Sequence, residues 1–177
     1  RFILCVSTIE PRKNHITLLR AFEMLHKDHS DLVLVLVGKL GWLYKSLLIE
    51  IENSSVSEKV RLLHQVPDAD LPVLLSAATV FAFPSIYEGF GLPPLEAMAC
   101  STPVVCSNTS SLPEVVGPAA LMCDPLVIDA WHKEIDKLLL DKELQQALSQ
   151  NGLAHSKKFT WNSVATATSN LYKTLLR

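Results

Sequence analysis

Short, continuously apolar runs alternate with stretches of helical spacing along the whole chain. Phe2–Val6, Leu32–Val37 and Thr79–Pro84 read as strands covered on both faces, and Val60–Leu63, Pro103–Cys106 and Ala119–Met122 read as three more. Between the first two, Leu18, Ala21, Phe22 and Leu25 recur at the spacing of one helix face, with Asn14 at the N-cap position. Further helices are expected over Trp42–Glu52, Asp68–Ala78, Leu112–Val116, Val127–Leu140 and Lys142–Lys157, and from about Trp161 to the end. Another carries Glu96, with Leu95, Met98 and Ala99 on its packing side and Pro93 and Pro94 in its first turn. Strands regularly separated by helices predict an α/β, Rossmann-like, doubly wound parallel sheet of about six strands with helices on both faces.

At 177 residues and 49% hydrophobic content, the chain can bury one core, so a single domain over 1–177 is expected. It opens at Arg1 directly on strand-like sequence, as an excised piece of a longer protein would. A formal net charge of −2 removes the electrostatic case for nucleic acid, so an anionic ligand must be held by a few local cations and amides. Cys5, Cys100, Cys106 and Cys123 lack close-paired metal spacing and are expected as free thiols, three of them buried, in a reduced, cytoplasmic compartment. No apolar stretch approaches the ~20 residues of a membrane span. His26 and His29 flank Asp28 at a helix end and are expected in solvent, whereas Trp131 and Trp161 are expected to pack the terminal helices.

Candidate chemistry gathers in loops that follow strands. After the first strand, Arg12 offers a planar fork of donors and Lys13 a compact charge, both suited to phosphate oxygens; no Gly-x-Gly-x-x-Gly turn accompanies them. After the second strand come Gly38-Lys39-Leu40-Gly41-Trp42, with close backbone approach at the glycines and a third cation at Lys39. After the apolar run ending at Pro84 lies the most informative segment. Glu88 and Glu96, with seven residues between them, bracket Gly89-Phe90-Gly91-Leu92 at the entrance to a helix. Paired carboxylates could serve a glycoside hydrolase, but no sugar-stacking aromatic cluster accompanies them and the phosphate-type cations would be out of place. A divalent metal would want an Asp-x-Asp or a third acid, and neither is present at suitable spacing. Hydroxyl recognition fits best: one glutamate on a ribose and one on a hexose, with a pyrophosphate between them near the Gly89–Leu92 amides.

Several segments, taken in order, resemble the group 1 glycosyltransferases, the family 4 retaining enzymes of GT-B architecture. They are Ile9-Glu10-Pro11-Arg12-Lys13-Asn14, Gly38–Trp42, Pro67–Pro72, Glu88…Glu96, Thr102–Val105 and Ser107–Gly117. The likeness runs from Phe2 to about Pro125, with a looser echo in Phe159–Trp161, and covers only the C-terminal, donor-binding half of such an enzyme. It implies Arg12 and Lys13 on the donor diphosphate, Glu96 on the ribose, and Glu88 with the Gly89–Leu92 amides on the sugar. His64–Val66 would lie beside the base, Val66 among them. Glu88, Arg12 and Lys13 are thus the candidate catalytic groups; Glu96, Gly89, Phe90, Gly91, Leu92, Lys39 and Val66 are the candidate donor-binding ones.

The implied reaction is retaining hexosyl transfer from a nucleotide diphosphate sugar, without metal or other cofactor. The pattern is similar to mannosyltransferases of surface polysaccharide assembly, which favours GDP-mannose. The partner would be an N-terminal acceptor domain of the same chain, toward which the helix from about 160 would pack. Membrane contact would come peripherally through the full-length enzyme, at the inner face. Two alternatives stand beside this: a non-catalytic donor-binding or assembly module, and a GT-B nucleotide-sugar epimerase. The chain departs from the family pattern at Ser7, Thr8, Ser101 and Pro118. Ser101 stands where glycine is common, and a left-handed backbone there would cost roughly 1 kcal/mol.

Overall fold

A computed structural model describes residues 1–176, and every strand in it is parallel. The strands are β1 (Phe2–Val6), β2 (Val33–Val37), β3 (Val60–Leu63), β4 (Val80–Phe83), β5 (Val104–Ser107) and β6 (Leu121–Cys123), in the order β3-β2-β1-β4-β5-β6. That order reverses direction between β1 and β4, which opens a crevice at the carboxyl ends of those two strands.

The helices are α1 (His15–Leu25), α2 (Lys45–Glu52), α3 (Leu71–Ala77), α4 (Leu92–Ala99), α5 (Leu112–Val116), α6 (Ile128–Leu140), α7 (Lys142–Ser156) and α8 (Trp161–Leu175). Alternate strand residues supply two separate cores. Ile3, Cys5, Leu34, Leu36, Val80 and Ala82 pack with Leu18, Phe22 and Trp131 of α1 and α6 on one face. Leu4, Val35, Val37, Phe81 and Phe83 pack with Leu75, Leu95 and Met98 of α3 and α4 on the other. This division follows from the two-residue period of a strand buried on both sides. Burying each large side chain, such as Phe22 or Phe81, contributes ~1.5–3 kcal/mol. Trp131 is fully buried as expected, and its indole N–H donates to the Asp124 carbonyl at 3.0 Å.

Several local expectations are corrected. Helix α2 begins at Lys45, not Trp42, because Leu43 adopts a left-handed φ of 53°. Helix α3 begins at Leu71, and β6 at Leu121 after a 3-10 turn over Gly117–Ala119 that also carries the exposed Pro118. On α4 it is Pro94, Leu95, Ala97 and Met98 that are buried, while Ala99 faces solvent. His29 is not in solvent: it is buried, with Nε2 at 2.7 Å from Asp136, where α1 meets α6. His26 is half-buried, and its Nδ1 is enclosed without a hydrogen-bond partner among the described residues. Trp161 is 83% exposed rather than packed, and every described residue of α8 is exposed. All four cysteines are free; Cys5, Cys106 and Cys123 are buried and Cys100 is half-buried. No helix among the described residues is long and apolar enough to cross a membrane.

Candidate functional site

The loop after β1 is fixed first by its neighbour. The pairing of β1 with β2 continues past both strands, through Ser7 N–H to the Val37 carbonyl at 2.9 Å and Ile9 N–H to the Lys39 carbonyl at 2.8 Å. Gly38 permits this: a Cβ there would lie 1.9 Å from the Ser7 carbonyl oxygen. Pro11–Lys13 then form a single 3-10 turn, and Asn14 reverses the chain into α1 with a left-handed φ of 56°. Asn14 occupies the expected N-cap position, but its side chain does not cap backbone amides. Its Oδ1 accepts from the Thr17 hydroxyl at 2.9 Å, and its Nδ2 donates to the Pro125 carbonyl at 2.7 Å.

That turn projects Arg12 and Lys13 across the crevice onto the loop after β4. The Ile86 N–H donates to the Arg12 carbonyl at 2.9 Å. The Arg12 guanidinium donates through Nη1 to the Tyr87 carbonyl at 2.5 Å and lies 3.3 Å from Glu88, while Nη2 donates to Glu10 at 2.7 Å. The Lys13 ammonium donates to Glu88 Oε1 at 2.5 Å and stands 5.2 Å from the centre of the Phe83 ring. Neighbouring Arg12 and Lys13 and the sequence-distant Glu88 therefore meet at the switch point of the sheet.

The acid-bearing turn is held from behind by hydroxyls that sequence reasoning did not single out. Thr109 donates to the Ile86 carbonyl at 3.0 Å, Ser110 accepts from the Glu88 N–H at 3.0 Å, and Ser111 is shared between the Glu88 and Phe90 carbonyls at 3.1 and 2.6 Å. Ser85, beneath the turn, is shared between the Arg12 and Tyr87 carbonyls. Only the likeness of Ser107–Gly117 to a known segment hinted at them. Gly91 enters α4 with φ 116°, against Leu112. Among the described residues, the N–H groups of Gly89, Phe90, Gly91 and Leu92 donate to no protein acceptor, and a Cβ on Gly89 would meet nothing within 4 Å. Pro93 and Pro94 have no N–H, so the open donors of this helix entrance belong to Leu92 and the three residues before it.

Glu96 lies one turn into α4, and among the described residues its side-chain carboxylate makes no hydrogen bond or ion pair. Its side chain reaches solvent, yet partial loss of water around the carboxyl pushes it above the usual carboxylate range. An unpaired carboxylate of this kind is a ready acceptor for hydroxyls. Lys39 is exposed and lines, with Val6, Val37, Gly38, His64, Gln65, Val66 and Leu71, a cleft of about 160 Å³ at the ends of β1, β2 and β3. Lys39 and Val66 thus share one cleft, whereas Arg12, Lys13 and Glu88 are not among its lining residues.

Behind the basic turn, the buried Ser7 hydroxyl is 2.9 Å from His15 Nε2. Burial, with Lys13 nearby as the smaller cause, pushes the His15 imidazole down to about 4, so the ring is neutral. Ser7 is therefore committed to the scaffold and not to a ligand.

Residues 1–155 match the family described as glycosyl transferases group 1. The chain belongs to that family. It is 45% identical over 175 residues to the O-antigen chain mannosyltransferase B of Escherichia coli, covering 98% of this chain and 46% of that protein. It is 34% identical to a D-inositol 3-phosphate glycosyltransferase of Corynebacterium jeikeium, covering 96% of this chain and 42% of the relative. Among solved structures, sucrose-phosphate synthase from Thermosynechococcus elongatus superposes with a TM-score of 0.88 at 29% identity, over 99% of this chain and 45% of that one. An Anabaena protein crystallised with UDP and glucose superposes at 0.83 with 24% identity, over 98% and 47%. The fold is thus one Rossmann-like half of a GT-B architecture, and the chain spans a little under half the length of each of these four proteins.

Proposed function

We propose that this group 1 glycosyltransferase chain is the donor-binding half of a retaining hexosyltransferase. The enzyme would move a sugar, mannose in the favoured reading, from a nucleotide diphosphate sugar to a glycan or lipid-linked acceptor. The observation that carries this is the meeting of the Lys13 ammonium with Glu88 at 2.5 Å, which puts the basic turn and the acid turn on one crevice rim. A single activated-sugar molecule can then touch both. Arg12, Lys13 and the Gly89–Leu92 amides stabilise the negative charge that builds on the departing diphosphate. Glu96 accepts from the ribose hydroxyls, and Glu88 serves the sugar. The cleft of Lys39 and Val66 lies further along the strand ends, where the base would rest. No resident metal is assigned a role, because the protein's own cations and amides supply the positive field.

The mannosyltransferase names of relatives support a mannosyl donor and hence GDP-mannose, and the neighbour crystallised with UDP and glucose supports a nucleotide-sugar site of this general shape. The acceptor groups belong to a second half of the protein. Helix α8 offers that half a stripe of exposed apolar residues: Trp161, Val164, Leu171, Tyr172 and Leu175. Work on lipid-linked acceptors would place the enzyme in the cytoplasm, at the inner membrane face.

Calorimetry across GDP-, UDP- and ADP-sugars tests the reading. One of them should bind, with GDP-mannose first, and chelator should not change its affinity. A folded chain that binds none refutes it.

A further inference from the structure

Four charged groups close on one another where the two loops meet. Glu10 and Glu88 face Arg12 and Lys13, so their formal charges cancel. The Lys13 and Glu88 side chains are each only 11% exposed. Both terminal nitrogens of Arg12 are also engaged, one on Tyr87 and Glu88 and the other on Glu10. The cations given above to the donor diphosphate are thus already neutralised by protein carboxylates. A diphosphate must compete for them.

Of the two acids, Glu88 is the one placed to yield. It reaches both cations, whereas Glu10 touches Arg12 alone, from two residues away in the same loop. It also sits on the turn whose Gly89 leaves open space beside it. We propose that Glu88 is the resident counter-anion of the diphosphate site: incoming phosphate oxygens displace it from Lys13 and Arg12, which frees the carboxylate beside the sugar. This rests on the donor-binding role above and adds a second duty for the same acid. The nucleoside diphosphate product carries more negative charge than the sugar-bound donor. Repulsion from Glu88 therefore weakens product binding more than donor binding and speeds product release.

The test is calorimetry of UDP, GDP, ADP and inorganic pyrophosphate on the wild-type chain, Glu88→Gln and Glu10→Gln, with thermal unfolding as the folding control. Glu88→Gln should bind the preferred nucleoside diphosphate about tenfold more tightly or better, equivalent to about 1.4 kcal/mol, and its nucleotide sugar with a smaller gain. Glu10→Gln, which releases only one nitrogen of Arg12, should gain less. Equal or weaker diphosphate binding by folded Glu88→Gln, while the wild type binds, overturns the counter-anion role and leaves the donor site standing. Binding by neither protein overturns both. If Glu88→Gln does not fold, the wild type decides: the Glu88 carboxyl and Lys13 ammonium resonances must shift when nucleoside diphosphate is added, and unmoved resonances overturn the proposal.

Discussion

Replacing Ser101 by glycine should stabilise the protein. Helix α4 ends in a paired-bond cap, with the Ser101 N–H donating to the Met98 carbonyl and the Thr102 N–H to the Ala97 carbonyl, both at 3.0 Å. This cap needs a left-handed residue, and Ser101 supplies it at φ 61°. A residue with a Cβ pays about 1–2 kcal/mol in that region, and the greater freedom of an unfolded glycine returns part of the difference. The net gain is about 1 kcal/mol, worth about 2–4 °C in Tm for a chain of this size. Little opposes it. Ser101 is exposed, its hydroxyl makes no hydrogen bond among the described residues, and the carbonyl that accepts from Ser149 at 2.6 Å is kept. Urea and thermal unfolding of Ser101→Gly measure the effect, with Ser101→Ala as a control expected within about 0.5 kcal/mol of wild type. A glycine variant no more stable than that control would refute the strain reasoning.

Other expectations follow from the same geometry. Lys13→Ala and Glu96→Ala should each weaken donor binding by roughly 1.5–3 kcal/mol without unfolding the chain, as calorimetry would read; unchanged affinity removes the residue from the site. His15 has a folded value of about 4 against an ordinary value near 6.5, so the unfolded chain takes up a proton that the folded one refuses. Stability should therefore fall as pH drops from about 6.5 to about 4, by about 3 kcal/mol in all, and His15→Gln should flatten that slope in denaturant titrations. Burial pushes the Cys5, Cys106 and Cys123 thiols up to about 12, so a thiol reagent should label half-buried Cys100 first in the folded protein. Early labelling of Cys5 would contradict the packing of β1.

The sheet was legible because its strands are buried on both faces and so read as unbroken apolar runs. The helices were legible wherever one apolar face recurs, as at Leu18, Ala21, Phe22 and Leu25. Element ends were not, since they are set by single backbone angles. Leu43 gives no outward sign that it will turn left-handed and delay α2 to Lys45. Asn14 suits a cap by type, but its side chain is taken by Thr17 and Pro125, the second of which lies across the fold. His29 looked solvated because nothing nearby in sequence announces Asp136 on another helix. The charged members of the site were visible as residue types at the ends of strands. Their pairing was not, because the contact between Lys13 and Glu88 depends on β1 and β4 being neighbours. The serine and threonine braces at 109–111 were hidden for the same reason, since they bond backbone more than twenty residues away.

The central claim is that one activated sugar spans the basic turn and the acid turn, and amide chemical-shift mapping of the labelled chain with GDP-mannose and its UDP and ADP counterparts tests it most directly. Saturable shifts are expected together at residues 10–14 and 86–92, and on Glu96, for whichever donor binds. Shifts confined to one of the two loops, or lying on the opposite edge of the sheet, would contradict it.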